Sequence, residues 1–303
     1  MRYSHFSPTM LRRFAREGRG TGTGEHYIPW HQVRPHEPAS KGRSHLVNGR
    51  FNRLHHLLSD QEYVVFALSN MLDLVDAREQ YPLSLEPRGP ELACYQMLHD
   101  MSLQPGTLAV ASDLGIRHPM ARGDGEQMPW IMTTDLVLTL GERGRRSLLA
   151  IAVKLLSDLR DRRTRALLRI EREYWRRQDV PWLLITPEDM IHPESFRTMQ
   201  GCLQWVLPDW DVADPCWVQA AEIRQWADSV NGSRLGEALA SLSHVTRLSM
   251  EQCQCVFWRR VWNGLLPLDL SVPLRPASKL RILDDDAFRA QNPVAMRRTA
   301  WQG

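Results

Sequence analysis

The spacing of apolar and polar positions divides the chain into three stretches. Over residues 1–50 apolar residues are scattered, and only Pro8–Glu17 reads as a short helix. Gly18, Gly20, Gly22 and Gly24 follow, and glycine at alternate positions opposes regular structure. From His55 the pattern becomes that of a packed domain. Ser59-Asp-Gln-Glu62 has the form of a capping box, in which Glu62 reaches back to the Ser59 amide, and it opens a helix to about Leu74. Asp76–Leu83 reads as a strand ended by proline, and Pro90–Met101 as a helix with loops beyond it. Thr134–Leu140 and Ser147–Leu155 alternate around Gly141–Gly144, the signature of a β-hairpin. With that turn, Asp135 lies opposite Ala150, and Lys154 shares a face with Leu148, Ala150 and Ala152. Asp158–Gln178 predicts a long helix with Leu167, Leu168, Ile170, Tyr174 and Trp175 as its buried stripe. Val180–Thr186 predicts a further strand, so the fold class is α/β with a mixed sheet.

The last third has a different rhythm. Leu207–Pro215 reads as a linker, followed by helical patterns at Cys216–Val230, Arg234–Val245 and Ser249–Gly264. Short strands are predicted at Leu266–Leu270 and Leu280–Leu283. Three helices and a small ribbon are the pattern of an α+β winged-helix domain. The expected division is an N-terminal arm over 1–50, a catalytic domain over 51–207 and a winged-helix-like domain over 208–303.

Composition narrows the class. With 43% hydrophobic and 24% charged residues, and no apolar run near bilayer length, the pattern opposes a membrane protein. The five cysteines lack framework spacing and point to a reducing compartment. The net charge of +3 conceals an asymmetry. Residues 1–50 carry nine Lys/Arg against three acids, 51–140 five against twelve, and 141–180 twelve against six. Basic blocks suit a phosphate backbone, and the acidic block between them suits a divalent cation. Only three of the 38 basic residues are lysine, and one of them, Lys154, interrupts the apolar run Ser147–Leu156.

Glu62, Asp135 and Lys154 are the leading chemical candidates. Two carboxylates could hold a hard metal ion through oxygen and place an ammonium beside a scissile phosphate. Weaker candidates read as structural: His55-His56 point opposite ways on a strand, and Cys253-Gln-Cys255 lacks zinc spacing. Gly18–Gly24 lacks the Gly-Lys-Ser/Thr ending of a phosphate loop and reads as a flexible segment near a DNA backbone.

The same residues carry a resemblance. Glu17–Gly24, Tyr27-Ile-Pro-Trp30, Gly42-Arg-Ser-His45, His55–Asp60, Asp76–Leu83, Gly115–Pro119, Met132–Asp135, Ala152-Val-Lys154, Glu171–Trp175 and Val180-Pro-Trp182 resemble, in order, the TnsA family. That family supplies the endonuclease subunit of heteromeric cut-and-paste transposases. The resemblance implies a restriction-endonuclease-like domain followed by a winged helix, and Mg²⁺-dependent cutting (Mn²⁺ substituting) at the 5′ ends of transposon-end DNA. It also implies TnsB and the AAA+ ATPase TnsC as partners, no membrane, and a bacterial, cytoplasmic, nucleoid-associated setting. Carried over by motif, Glu62, Asp135 and Lys154 are catalytic, and Glu62, Asp135 and the Val153 carbonyl are metal donors. One position departs: Ala152 stands where the family has glutamine. A methyl cannot bind metal, so the alternative function is a weakened nuclease fold acting as a scaffold between TnsB and TnsC. A stand-alone nuclease is a third reading.

Overall fold

The computed structural model describes residues 7–34, 37, 42–123, 125–142, 145–206, 226, 229–302. Helix α1 (Pro8–Arg16) is capped by the Ser7 hydroxyl and buries Leu11 and Phe14. A hairpin of β1 (His45–Gly49) and β2 (Arg53–Leu57) leads to α2 (Asp60–Ser69). Next come β3 (Leu74–Pro82), α3 (Thr107–Asp113) and a hairpin of β4 (Met120–Gly123) and β5 (Glu126–Pro129). The central elements are β6 (Thr133–Glu142), β7 (Arg145–Val153), α4 (Arg162–Arg177) and β8 (Trp182–Ile185). Then come α5 (Pro187–Met190), α6 (Pro193–Val206), α7 (Leu235–Thr246), α8 (Met250–Trp262) and α9 (Asp285–Ala290).

The main sheet has the order β3-β6-β7-β8, with antiparallel pairs up to β7 and a parallel β7–β8 pair. This is the mixed sheet that the alternation predicted. One face carries Leu136, Leu138, Leu149 and Ile151 into a core shared with α2 and α6. The other places Val137, Leu148 and Ala150 beneath Ile170, Tyr174 and Trp175 of α4. The helical stripe read from the sequence is buried except Leu167, which is half-buried.

Several expectations are corrected. Gly141 does not turn the central hairpin. Its N–H bonds to the Asp73 carbonyl at 3.0 Å, and an added Cβ would stand 3.1 Å from Val75, so a neighbouring segment holds it extended. Pairing continues to Glu142 with Arg145, and Val137, not Asp135, faces Ala150. That two-residue shift moves Asp135 toward the end of β7. The helix expected over Pro90–Met101 is only a 3-10 turn at Glu91–Cys94, because no apolar stripe sustains it: Met97 is 99% exposed. Helix α3 and the β4–β5 hairpin replace predicted loops.

The glycine-rich segment is packed, not loose. Gly20 has φ +78, and a Cβ there would lie 2.1 Å from Pro82 Cγ. Buried Arg19 bonds Glu37 at 2.6 Å and Glu17 at 2.7 Å, while Tyr27 and Trp30 are buried nearby.

The expected linker at Leu207–Pro215, and the helix at Cys216–Val230 apart from Trp226, Ser229 and Val230, lie outside the described residues. Beyond them come α7 and α8, with isolated antiparallel bridges of Arg234, which precedes α7, to Lys279 and of Leu268 to Ile282. These helices join the core of α2 and α6. Trp262 Nε1 donates to the Ala67 carbonyl at 3.2 Å, and Asn292 Nδ2 to that of Leu68 at 2.8 Å.

Candidate active site

The site forms where β6 leaves β7. Leu136 is the last β6 residue paired with that strand, at Ile151. One residue further, the side chain of Asp135 takes over: Oδ2 accepts the Val153 N–H at 2.7 Å. The same oxygen receives Lys154 Nζ at 2.7 Å, and Nζ also donates to the Val153 carbonyl at 2.9 Å. The parallel neighbour fixes this turn of chain, since Lys154 N–H bonds the Ile185 carbonyl at 3.1 Å. Lys154 therefore sits on a strand end, with its side chain 29% exposed, and Asp135 sits beneath it at 12%.

Glu62 arrives from α2. Ser59 caps that helix by accepting the Glu62 N–H at 3.1 Å, as its sequence requires. The return half of the capping box differs from expectation: Glu62 Oε2 accepts the Leu58 amide at 2.9 Å, not that of Ser59. The same oxygen accepts Gln80 Nε2 at 3.0 Å. Gln80 has φ +49 in the middle of β3, an uncommon conformation for a residue with a side chain. It lies between paired Glu79 and Tyr81, as Asp135 lies between their partners Leu136 and Thr134. The strain at Gln80 thus accompanies a grip on Glu62.

A further acid lines the same cleft. Glu171 of α4 is buried, and its Oε1 accepts the Thr134 hydroxyl at 2.8 Å and Trp182 Nε1 at 3.2 Å. Glu62, Asp135, Lys154 and Glu171 line one cleft of about 440 Å³, shared with Trp130 and Asp158.

The electrostatics are those of crowded carboxylates. Burial, then the neighbouring Asp135, pushes Glu62 up to about 8 and Glu171 to about 7. Burial alone would lower the Lys154 ammonium; Asp135 beside it more than offsets this, and the lysine stays charged. Four acids, Glu62, Asp135, Asp158 and Glu171, line the cleft with one ammonium, so it is short of positive charge. Among the described residues, no group of three His, Cys, Asp or Glu side chains is drawn close enough to hold an ion. The Glu62 and Asp135 carboxylates with the Val153 carbonyl are nonetheless all hard oxygen donors. Such a set, completed by water, suits a small hard divalent cation, which would relieve the carboxylate repulsion.

Ala152 is fully buried against Leu168 and Leu184 and is not among the residues lining the cleft. His55 is buried between Glu79 and the Arg50 carbonyl, His56 accepts the Val33 amide, and Cys253 is buried in the core. None of the three belongs to the site. Sequence reasoning assigned no role to Glu171 or Gln80. The signal for Glu171 was an acid inside the apolar stripe, one turn from Leu167, Leu168 and Trp175. For Gln80 there was none, since nothing local marks a glutamine for positive φ.

Residues 96–187 match a family described as TnsA-like endonuclease N terminal. The transposon Tn7 transposition protein TnsA of Escherichia coli is 36% identical over 189 residues, 62% of this chain. The match spans 60% of that protein, less than two thirds of its length.

Proposed function

Starting from a TnsA-like chain, we propose that this protein is the metal-dependent DNA endonuclease subunit of a heteromeric transposase, cutting the 5′ ends of its element. The observation that carries this reading is the convergence of Glu62, Asp135 and Lys154 on one cleft from α2, β6 and the residue that follows β7.

Glu62, Asp135 and the Val153 carbonyl would hold the cation, Mg²⁺ with Mn²⁺ as substitute. When bound, the cation supplies Lewis-acid stabilisation of the phosphate and a more acidic water. Lys154 aims a fixed positive charge at the place where a scissile phosphate gains negative charge. Asp135 aligns that ammonium and, through the Val153 amide, the strand that bears it. Gln80 and the Leu58 amide orient Glu62. Glu171, held by Thr134 and Trp182, supplies a further carboxylate to the cleft in place of the side chain that Ala152 lacks.

The DNA track would follow α4, where Arg162, Arg165, Arg169, Arg172 and Arg176 form one exposed stripe. Arginines at this spacing contact phosphates without reading bases. End recognition would then fall to TnsB and regulation to TnsC, with the region 208–303, read as a winged helix, as the partner-facing part. The arm over 1–50 and the catalytic domain over 51–207 complete the proposed division. Among the described residues no helix is long and apolar enough to cross a membrane, and a bacterial, nucleoid-associated setting accords with the DNA substrate.

Strand-resolved cleavage of a labelled transposon end with TnsB, TnsC, ATP and Mg²⁺ tests the reading. A 5′ cut that disappears in Asp135→Ala supports it. Absence of a 5′ cut by wild type, with 3′ joining intact, favours the scaffold reading that Ala152 suggests. Cutting by the purified chain without partners favours a stand-alone nuclease.

A further inference from the structure

Strand β8 ends the sheet order, so among the described residues one side of its backbone has no strand partner. The segment Thr299–Trp301 covers it. Ala300 N–H donates to the Leu184 carbonyl at 2.8 Å, and Thr299 Oγ1 accepts the Leu184 N–H at 3.0 Å. Both outward groups of Leu184 are thereby satisfied, as a sheet edge demands. Ala300 and Trp301 pack against the cluster of Ala152, Leu168 and Leu184, directly behind the strand end that carries Lys154.

Trp301 then meets Trp182 edge to face, with ring centroids 5.7 Å apart at 81°. The Arg172 guanidinium stands 5.9 Å from the Trp301 ring centroid. Trp301 Nε1 is buried with no hydrogen-bond partner among the described residues, so contacts to the ring faces and edges hold it. Trp182 is the residue whose Nε1–H donates to Glu171 Oε1. A continuous path of contacts therefore runs from Trp301 through Trp182 to an acid of the cleft. The chain leading into this segment is also tied down, because Asn292 donates to the Leu68 carbonyl of α2, the helix that carries Glu62.

We propose that Trp301, docked on β8 by Thr299 and Ala300, is a positioning residue: it braces the Trp182 indole against Glu171 and so fixes that carboxylate in the cleft. The inference rests on the reading of this cleft as a nuclease centre. A half-buried indole on an edge strand has several rotamers open to it, and the edge-to-face contact selects one. Small displacements matter here, since catalytic groups lose much of their effect when misplaced by about 1 Å.

The test combines Trp301→Ala, Trp301→Phe and Glu171→Gln in the assembled cutting reaction. Trp301→Ala should slow 5′ cutting by roughly tenfold, read at saturating DNA so that any loosening of Arg172 on the DNA track does not enter. Trp301→Phe should restore most of the rate. In a Glu171→Gln background Trp301→Ala should cost nothing more, because it acts through that carboxylate. Wild-type cutting by Trp301→Ala, or an undiminished cost in the Glu171→Gln background, overturns the proposal. A wild type that makes no 5′ cut would sink the nuclease reading instead. In that case ¹³C NMR of the Glu171 carboxyl in the free protein decides this proposal. Its titration midpoint should shift in Trp301→Ala and return in Trp301→Phe, and an unmoved midpoint overturns it. If Trp301→Ala does not fold, Thr299→Val, which removes the acceptor shared by the Leu184 and Trp301 amides, gives the same comparison.

Discussion

Asp135 and Lys154 are joined through a single oxygen: Oδ2 takes the ammonium at 2.7 Å and the adjoining Val153 amide at the same distance. One carboxylate thus fixes both the charge of the lysine and the strand that bears it. The two residues are far apart in sequence and meet because a hairpin folds β7 back along β6.

Removing the lysine should separate chemistry from folding. Lys154→Ala is expected to reduce 5′ cutting by roughly 10²–10³-fold, the loss typical of a group stabilising charge in the transition state. DNA binding and partner assembly should persist. Cutting within threefold of wild type would remove Lys154 from the mechanism.

Stability of the metal-free protein should fall as pH rises. Glu62 and Glu171 hold protons more tightly folded, at about 8 and about 7, than in an unfolded chain near 4.5. Between those values the unfolded state releases protons first, so rising pH favours unfolding. Thermal melting in chelator from pH 6.5 to pH 8, above the range where the burial-lowered His31, His56 and His118 oppose the acids, should show Tm decreasing, by roughly 2–6 °C. Glu62→Gln should flatten the slope, and Mg²⁺ at pH 8 should restore the lost degrees. A Tm that climbs over this range would contradict the assigned crowding.

Glu171→Gln keeps the shape of the side chain and removes its charge. Cutting should fall about 10–100-fold, with the fold preserved, because a neutral amide relieves a buried carboxylate. Full activity of this variant would confine Glu171 to a structural role.

The arginine stripe of α4 predicts a salt effect. Arg165 and Arg169 are exposed and form no ion pair among the described residues. Replacing both by alanine should weaken DNA binding uniformly across sequences. It should also reduce the slope of log K against log salt by about 1.8, the value for two phosphates. An unchanged slope would place the DNA elsewhere.

Gly20→Ala tests whether the glycine-rich segment is packed. The new methyl would overlap Pro82 at a positive φ, so a loss of about 1–3 kcal/mol is expected by chemical denaturation. A mobile loop would tolerate the change.

Local pattern was legible wherever one face of an element is buried along its whole length. Alternation over 134–140 and 147–155 identified β6 and β7, the stripe through Ile170, Tyr174 and Trp175 identified α4, and Ser59 marked the start of α2. The resemblance placed Glu62, Asp135 and Lys154, and the structure gathers those three. Tertiary contacts decided the rest. The approach of Asp73 and Val75 keeps Gly141 extended and sets the register that brings Asp135 to the end of β7. A positive φ at Gln80 lets β3 grip Glu62, although no neighbour in sequence signals it. Glu171 joins the site because α4 packs across the sheet, a relation between segments far apart along the chain. Pattern records which side of an element is apolar; which polar groups then share a cleft depends on how those elements stack.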